Sequence, residues 1–330
     1  MNALLLLLTH PAARLVLWLV LVFAFIGFNA IILVWVERKV AGYVQLRPGP
    51  LHVGPQGLLQ PLVDGIKLMG KQLVTPAQGD KVLFWAAPLL AFAPAIVCFL
   101  PLPFDARFKP LPMNLGLVLI LAFSGLGVLS LCLAGWGSNN KWSLLGAARS
   151  VAQAVAYEVP LLLCVLAVAI CTGSLDLYAI AGHQGAWPWQ WYAVKNPLAF
   201  FIFLVCAVAE TNRAPFDLPE GESELTGGFH TEYSGMGFGL FFMAEYANMV
   251  IVAAVAAALF LGGWQGPFLP GIWWFLLKIY SILFFIIWLR WTFPRVRFDQ
   301  LLNISWKWLT PLALFDFALA VIVVSIRSMK

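Results

Sequence analysis

Apolar residues fill this chain in long runs separated by short polar connections, at about 14–36, 82–103, 114–135, 151–172, 197–209, 237–262, 271–289 and 308–326. A helix needs about 20 apolar residues to cross roughly 30 Å of hydrocarbon, and most of these runs are that long. The fifth is short and ends on Glu210. The pattern predicts an all-α integral membrane protein with about eight transmembrane helices. A single membrane domain over 1–330 is the simplest division, because no polar linker, soluble module or internal repeat breaks the series. Pro and Gly cluster at 47–57, 101–112 and 262–271, marking turns between helices.

One stretch differs in kind. In "QGLLQPLVDGIKLMGKQL", 56–73, Leu58, Leu62, Ile66, Met69 and Leu73 recur at helical spacing while Asp64, Lys67 and Lys71 share the opposite face. Three charges make a poor span and a good interfacial helix, lying flat at the headgroup level. It reads either as a solvated connector with a greasy underside or as the lip of a lateral opening to the bilayer.

Composition strengthens the membrane reading. The chain is 62% hydrophobic, 15% aromatic and only 11% charged, and its mean hydropathy is +0.88. No soluble domain hides that much apolar surface. The first run is read as a helix and not a signal peptide, with Glu37-Arg38-Lys39 ending it as a stop-transfer flank would. The five cysteines lie in apolar runs without CxxC spacing and read as small hydrophobes.

Charge sets the orientation. Alternate connections hold Arg38, Lys39, Arg47, Lys67, Lys71, Lys81, Lys141, Arg149, Arg213, Arg290, Arg295, Arg297 and Lys307, against Arg14, Arg107, Lys109, Lys195, Arg327 and Lys330 on the other side. That bias of 13 against 6 puts the first set in the cytoplasm and both termini on the periplasmic side. In a bacterial inner membrane, the expected location, the side of the first set is the cytoplasm; in a mitochondrial inner membrane, the lesser alternative, it is the matrix.

The acids are distributed unevenly. Of 15 in the chain, six (Glu210, Asp217, Glu220, Glu222, Glu224 and Glu232) fall in the loop at about 209–236, on the cytoplasmic side. Pro219 before Glu220 suits a first helical turn. If 219–226 is helical, Glu220 and Glu224 share a face. If it is extended, Glu220, Glu222 and Glu224 all point one way. Either arrangement crowds like charges and raises at least one carboxyl pKa towards neutrality. The flank "GGFHTEYSGMGF" reads as buried and tightly turned, unlike a solvated acidic loop.

Further ionisable groups interrupt the runs: Glu158, Glu245, Lys278 and Asp316. Each costs about 2.5–3.5 kcal/mol at mid-membrane on insertion scales, so such groups pair or serve ion movement. The set is expected to converge on the loop and form a polar path into the membrane. The arginines at helix ends serve as lipid anchors or as counter-ions. The four scattered His residues make no metal site, and no phosphate-binding Gly loop is present.

The segments "VERKVAGYVQLRPGP", "LLQPLVDGIKL", "GWGSNNKWSLLGAARSVAQAVAYEVPL", "AETNRAPFDLPEGESELTGGFHTEYSGMGFGLFFMAEYANM" and "RWTFPRVRFDQLLNISWKWLTPL" occur in order along nearly the whole chain. They resemble the NuoH family of respiratory complex I subunits, whose mitochondrial counterpart is subunit 1 of NADH dehydrogenase. The resemblance implies an eight-helix membrane-arm subunit of a proton-pumping NADH:quinone oxidoreductase. Such a subunit forms the membrane side of the quinone chamber and starts a charged relay. Carried over residue by residue, Glu158, Glu210, Asp217, Glu220, Glu222, Glu224, Glu232 and Glu245 match proton-relay carboxylates. Glu37, Arg38, Asp64, Lys67, Arg213 and Arg295 match positions at the quinone channel. The chain departs at "RPGPLHVGP", where many members have Asn after the Gly-Pro.

The resemblance also implies that quinone is the substrate and that this chain binds no cofactor alone. FMN and iron–sulfur clusters would lie in partner subunits. The implied partners are other membrane-arm subunits, the quinone-binding and iron–sulfur peripheral-arm subunits, and membrane lipids; nucleic acid is not among them. Three alternatives stand beside it: the homologous component of a membrane-bound hydrogenase, a stand-alone ion transporter, and a structural anchor. A transporter commonly shows repeated halves, and none is visible here. An anchor has no need of mid-membrane carboxylates.

Overall fold

The computed structural model describes residues 11–105, 113–218, 226–268 and 270–328. Among them the fold is all helical, with no strand. The helices are α1 (Pro11–Val44), α2 (Gln60–Gly70), α3 (Lys81–Cys98), α4 (Gly116–Gly137), α5 (Lys141–Thr172), α6 (Leu177–Gly182), α7 (Tyr192–Lys195), α8 (Pro197–Glu210), α9 (Gly235–Phe260), α10 (Gly271–Thr292), α11 (Phe298–Asn303) and α12 (Thr310–Ser328). A π turn, Ile304–Leu309, joins α11 to α12 in one continuous rod. Seven stretches are long and apolar enough to cross a membrane: α1, α3, α4, α5, α9, α10 and the α11–α12 rod. The short run 197–209 becomes α8, only 14 residues long.

α9 occupies the centre, packed against α1, α3, α8 and α10. Its second half, "AAVAAALF", is almost wholly inaccessible, with Ala253, Ala254, Ala256, Ala257 and Ala258 at 0% exposure. Small side chains let neighbouring backbones approach closely, which replaces the hydrophobic drive that lipid does not supply between helices. α8 is buried in the same way through Ala199, Ile202, Phe203, Cys206 and Ala207.

Several element ends differ from the expectations. α1 does not stop at Glu37-Arg38-Lys39 but continues to Val44. Glu37 is buried against other parts of the protein and Arg38 pairs with Asp64, so these charges are accommodated within the helix. α5 begins at Lys141, well before its apolar run, because Asn140 caps it by accepting from the Trp142 N–H at 3.0 Å. The last rod begins at Phe298 and not near 308.

The amphipathic stretch is also shorter than 56–73. A 3₁₀ turn at Pro55–Gly57 holds Gln56 at φ +52°, and Lys71 is already extended, which leaves Gln60–Gly70 as the helix. Leu62, Ile66 and Met69 face outward, the arrangement of a helix whose greasy side meets lipid.

Candidate functional site

The acidic loop is anchored at both flanks. On its first side, the Gln153 amide of α5 donates to the Ala209 and Phe216 carbonyls at 2.7 and 2.9 Å. Val296 N–H donates to Pro215 O at 3.0 Å, and Arg295 donates to the Asp217 carbonyl while its Nη2 lies 3.5 Å from the Asp217 carboxylate. On its second side, Gly146 of α5 lies so close to Gly228 that a Cβ would meet backbone at 2.8 Å. Ser143 Oγ donates to Phe229 O at 2.9 Å, and Phe229 and Tyr233 are buried. The flank is therefore packed and turned as its glycines and aromatics suggest, with Gly228 and Gly235 at positive φ. Glu232 accepts from the Asn140 amide at 2.6 Å, so one asparagine both caps α5 and holds this carboxylate. Glu220, Glu222 and Glu224, and with them the choice between helix and extended chain, lie outside the described residues.

Arg213, from the first part of the loop, is buried between two carboxylates. Its Nη1 is 3.1 Å from Glu37 and its Nε is 2.7 Å from Glu245. Its guanidinium also lies over the Tyr246 ring, 4.6 Å from the centroid. Tyr246 Oη donates to Glu37 at 2.5 Å, and Arg290 closes on the same carboxylate from α10. Four elements thus meet on one charged knot: α1, the loop, α9 and α10. Buried ions are tolerable only when each finds strong partners, and here two arginines face two carboxylates with a phenol hydrogen bond added.

Beside the knot lies a cavity of about 130 Å³ between α3, α4, α5, α8 and α9. Glu158, Glu210, Glu245 and Asn248 line it, among phenylalanines. A water needs about 10–15 Å³ of such space and two to four polar partners, so the cavity has room for a short file of waters along its carboxylates. Next to Glu158 the wall is Gly125, whose absent side chain leaves the carboxylate oxygen 4.0 Å from the nearest point a Cβ would occupy.

A separate polar contact sits where α1 meets α2. Arg38 donates to Asp64 at 2.7 Å and Gln60 donates to it at 3.1 Å. Burial pushes the Asp64 carboxyl up, but these hydrogen bonds and the nearby Arg38 and Lys67 charges outweigh it and hold it below its ordinary value. Lys67 itself is exposed on α2.

The structure therefore gathers Glu37, Arg213 and Glu245 into one cluster, and Glu158, Glu210 and Glu245 around one cavity. Arg38, Asp64 and Lys67 form a more exposed edge, and Asp217, Arg295 and Glu232 hold the loop. Two expected members do not join. Lys278 is buried 12 residues from Arg290 along α10, donating to Gly263 O and Gln265 O at 2.9 and 2.7 Å, beyond the far end of α9. Asp316 accepts from Asn196 at 3.0 Å, at the start of α8, whereas Glu210 is at its end. Both lie towards the opposite end of the bundle, so the polar groups do not all converge on the loop. Tyr246 is an addition to the site, because a tyrosine inside an apolar run reads as core. Arg290 is another, since its sequence signal is only that of one helix-end arginine among several.

These features define a polytopic, all-helical membrane protein with a buried ionic cluster and an adjoining carboxylate cavity near one end. Among the described residues, no group of three or more His, Cys, Asp or Glu side chains is placed to hold a metal ion. The sequence profile of the NADH dehydrogenase family matches residues 17–321. The chain is 52% identical to the H-type component of NADH-quinone oxidoreductase from Desulfotalea psychrophila, over 90% of this chain and 92% of that protein. It is 48% identical to the corresponding NADH-quinone oxidoreductase component of Dehalococcoides mccartyi, over 93% and 86% of the two chains. It is 44% identical to the second of two such components in Geobacter metallireducens, over 94% and 95%. The chain belongs to the NADH dehydrogenase family of membrane subunits.

Proposed function

We infer that this chain serves as the H-type membrane-arm subunit of a proton-pumping NADH:quinone oxidoreductase, a respiratory complex I, in a bacterial inner membrane. It is a subunit of an enzyme and carries no redox centre. Electrons reach quinone from iron–sulfur clusters, and first from FMN, in peripheral-arm partners that cover the loop side, while other membrane-arm subunits adjoin its lipid-embedded faces. Glu37, Arg38, Asp64, Lys67, Arg213 and Arg295 belong to the quinone channel. Glu158, Glu210, Asp217, Glu220, Glu222, Glu224, Glu232 and Glu245 belong to the relay.

One observation carries this reading: Glu245 belongs to both networks. Its carboxylate pairs with Arg213 in the charged knot and also lines the cavity shared with Glu158 and Glu210. A change of charge beside Glu37 and Arg213 alters the field on Glu245, and Glu245 exchanges protons with waters that reach the other two carboxylates. Charge–charge energies at these separations are several kcal/mol at an effective dielectric of about 20, enough to move a proton equilibrium. Glu245→Gln keeps the volume and removes the charge. The expected result is assembled complex with quinone reductase turnover and proton uptake in sealed vesicles both reduced at least about tenfold. Full proton pumping in this variant would rule the reading out.

The topology that goes with this function has eight crossings, α8 being the short one, and both termini on the periplasmic side. The positive-side bias supports it. Cys placed at 195 and at 222 should label from opposite faces of the membrane, and labelling from one face would reject it.

A further inference from the structure

Two walls of the carboxylate cavity carry prolines inside a helix: Pro88 and Pro94 in α3, and Pro160 in α5. Proline has no N–H, so it deprives the carbonyl four residues earlier of its helical donor. For Pro88 that carbonyl is Phe84's, and for Pro160 it is Ala156's. In both cases a hydroxyl from a distant element takes the vacant place. Tyr233 Oη donates to Phe84 O at 3.0 Å, its ring stacked on that of Phe84 with centroids 4.1 Å apart and planes 2° from parallel. Ser305, fully buried, donates to Ala156 O.

Each contact touches the site. Ala156 is two residues before Glu158, on the same turn of α5. Ser305 lies in the π turn, which Thr310 closes by donating to the Ser305 carbonyl at 3.0 Å. Widened turns of this kind occur often at functional positions inside long helices. Tyr233 closes the acidic loop, and the helix it grips supplies Ala91, Pro94, Ala95 and Cys98 to the cavity wall. Proline inside a helix clashes with the carbonyl it orphans and bends the chain there, and a hydroxyl bonded to that carbonyl holds it in one direction.

We propose that Tyr233 and Ser305 are positioning residues for the cavity carboxylates. Their hydroxyls hold the local course of α3 and α5 by taking the carbonyls that Pro88 and Pro160 orphan. The proposal rests on the relay reading above. Proton transfer requires donor and acceptor within about 2.6–3.2 Å of each other or of a bridging water, so a small change of helix pitch at Glu158 interrupts it.

The test is a pair of double-mutant cycles in the full membrane complex, scored as turnover and proton uptake per assembled complex. Ser305→Ala should lower both roughly fivefold, the size of one net hydrogen bond. Ser305→Thr, which keeps the hydroxyl, should restore them. Pro160→Ala returns an N–H to the Ala156 carbonyl, so in that background Ser305→Ala should add no further loss. Tyr233→Phe keeps the stacked ring, and in a Pro88→Ala background it should likewise add no further loss. In a Glu158→Gln background, Ser305→Ala should add no further loss. A smaller amount of assembled complex with unchanged turnover per complex would make the hydroxyls purely structural and overturn the proposal. So would a Ser305→Ala defect that Pro160→Ala leaves in place. Wild-type turnover in Glu158→Gln alone would instead sink the relay reading, which keeps the two failures apart.

Discussion

Near one end of the bundle, Arg213 lies between Glu37 and Glu245 with Tyr246 and Arg290 at hand. Towards the other end, Lys278 meets two backbone carbonyls and the Trp191 ring, and Asp316 meets a single amide. Both regions bury charge inside the bundle, and the difference is in the partners. Carbonyls and the Asn196 amide cannot titrate, so Lys278 and Asp316 are pinned in one arrangement that ties helix ends together. In the first region Glu37, Glu245, Arg213 and Arg290 pair with one another and with the Tyr246 phenol, and the two carboxylates share Arg213. A change at any member is felt by the rest. The first region is built to respond and the second to hold.

The largest effect expected from breaking this contrast is at Arg213. Arg213→Met leaves buried Glu37 and half-buried Glu245 with one arginine fewer, and removing one partner of a buried pair costs about 3–5 kcal/mol. Thermal unfolding of the assembled complex should move down sharply, and quinone reductase turnover should fall with it. A variant with normal turnover would show that the knot has no part in the reaction.

Lys278→Met probes the holding end with an intermediate effect. It frees the Gly263 and Gln265 carbonyls, each an unsatisfied acceptor worth about 1–3 kcal/mol. Stability should drop while turnover per assembled complex stays at the wild-type level. Lost proton uptake with normal assembly would erase the distinction between the two ends.

The smallest effect sharpens the responsive end from outside. Met69 is exposed on the outward face of α2, the helix whose Asp64 pairs with Arg38. If this helix is the lip by which a lipid-soluble quinone reaches the knot, Met69→Trp should slow long-tailed quinones by a few fold and spare short-tailed ones with the same head group. Equal slowing of both would reduce α2 to a connector.

The sequence shows the responsive end well because charge in an apolar run is costly enough to stand out. Glu158 and Glu245 are visible for that reason, Glu210 through the crowding of the loop acids, and all three share one cavity. Glu37-Arg38-Lys39 misleads for the same reason. Three charges look like a helix end until their partners, which come from distant elements, are known. Lys278 and Asp316 carry the same cost signal but belong elsewhere, since a residue's identity does not state which end of a bundle it faces. Lys278 offers a partial clue, lying much nearer the start of its run than Arg290 does. Tyr246 and Ser305 give no signal at all. A phenol or hydroxyl in a membrane helix is unremarkable until a buried carboxylate or an orphaned carbonyl is found opposite it.

α8 has one consequence in electrical terms. Fourteen residues at about 1.5 Å each span roughly 21 Å, against a hydrocarbon thickness of about 30 Å. Where water reaches both its ends, the transmembrane voltage falls over that shorter distance and the local field exceeds the bilayer average by about two-fifths. A unit charge carried the full length from Glu210 to Asn196 exchanges about 2.3 kcal/mol with each 100 mV across the membrane. A crossing this short would make the protein a thinner capacitor there than the lipid around it.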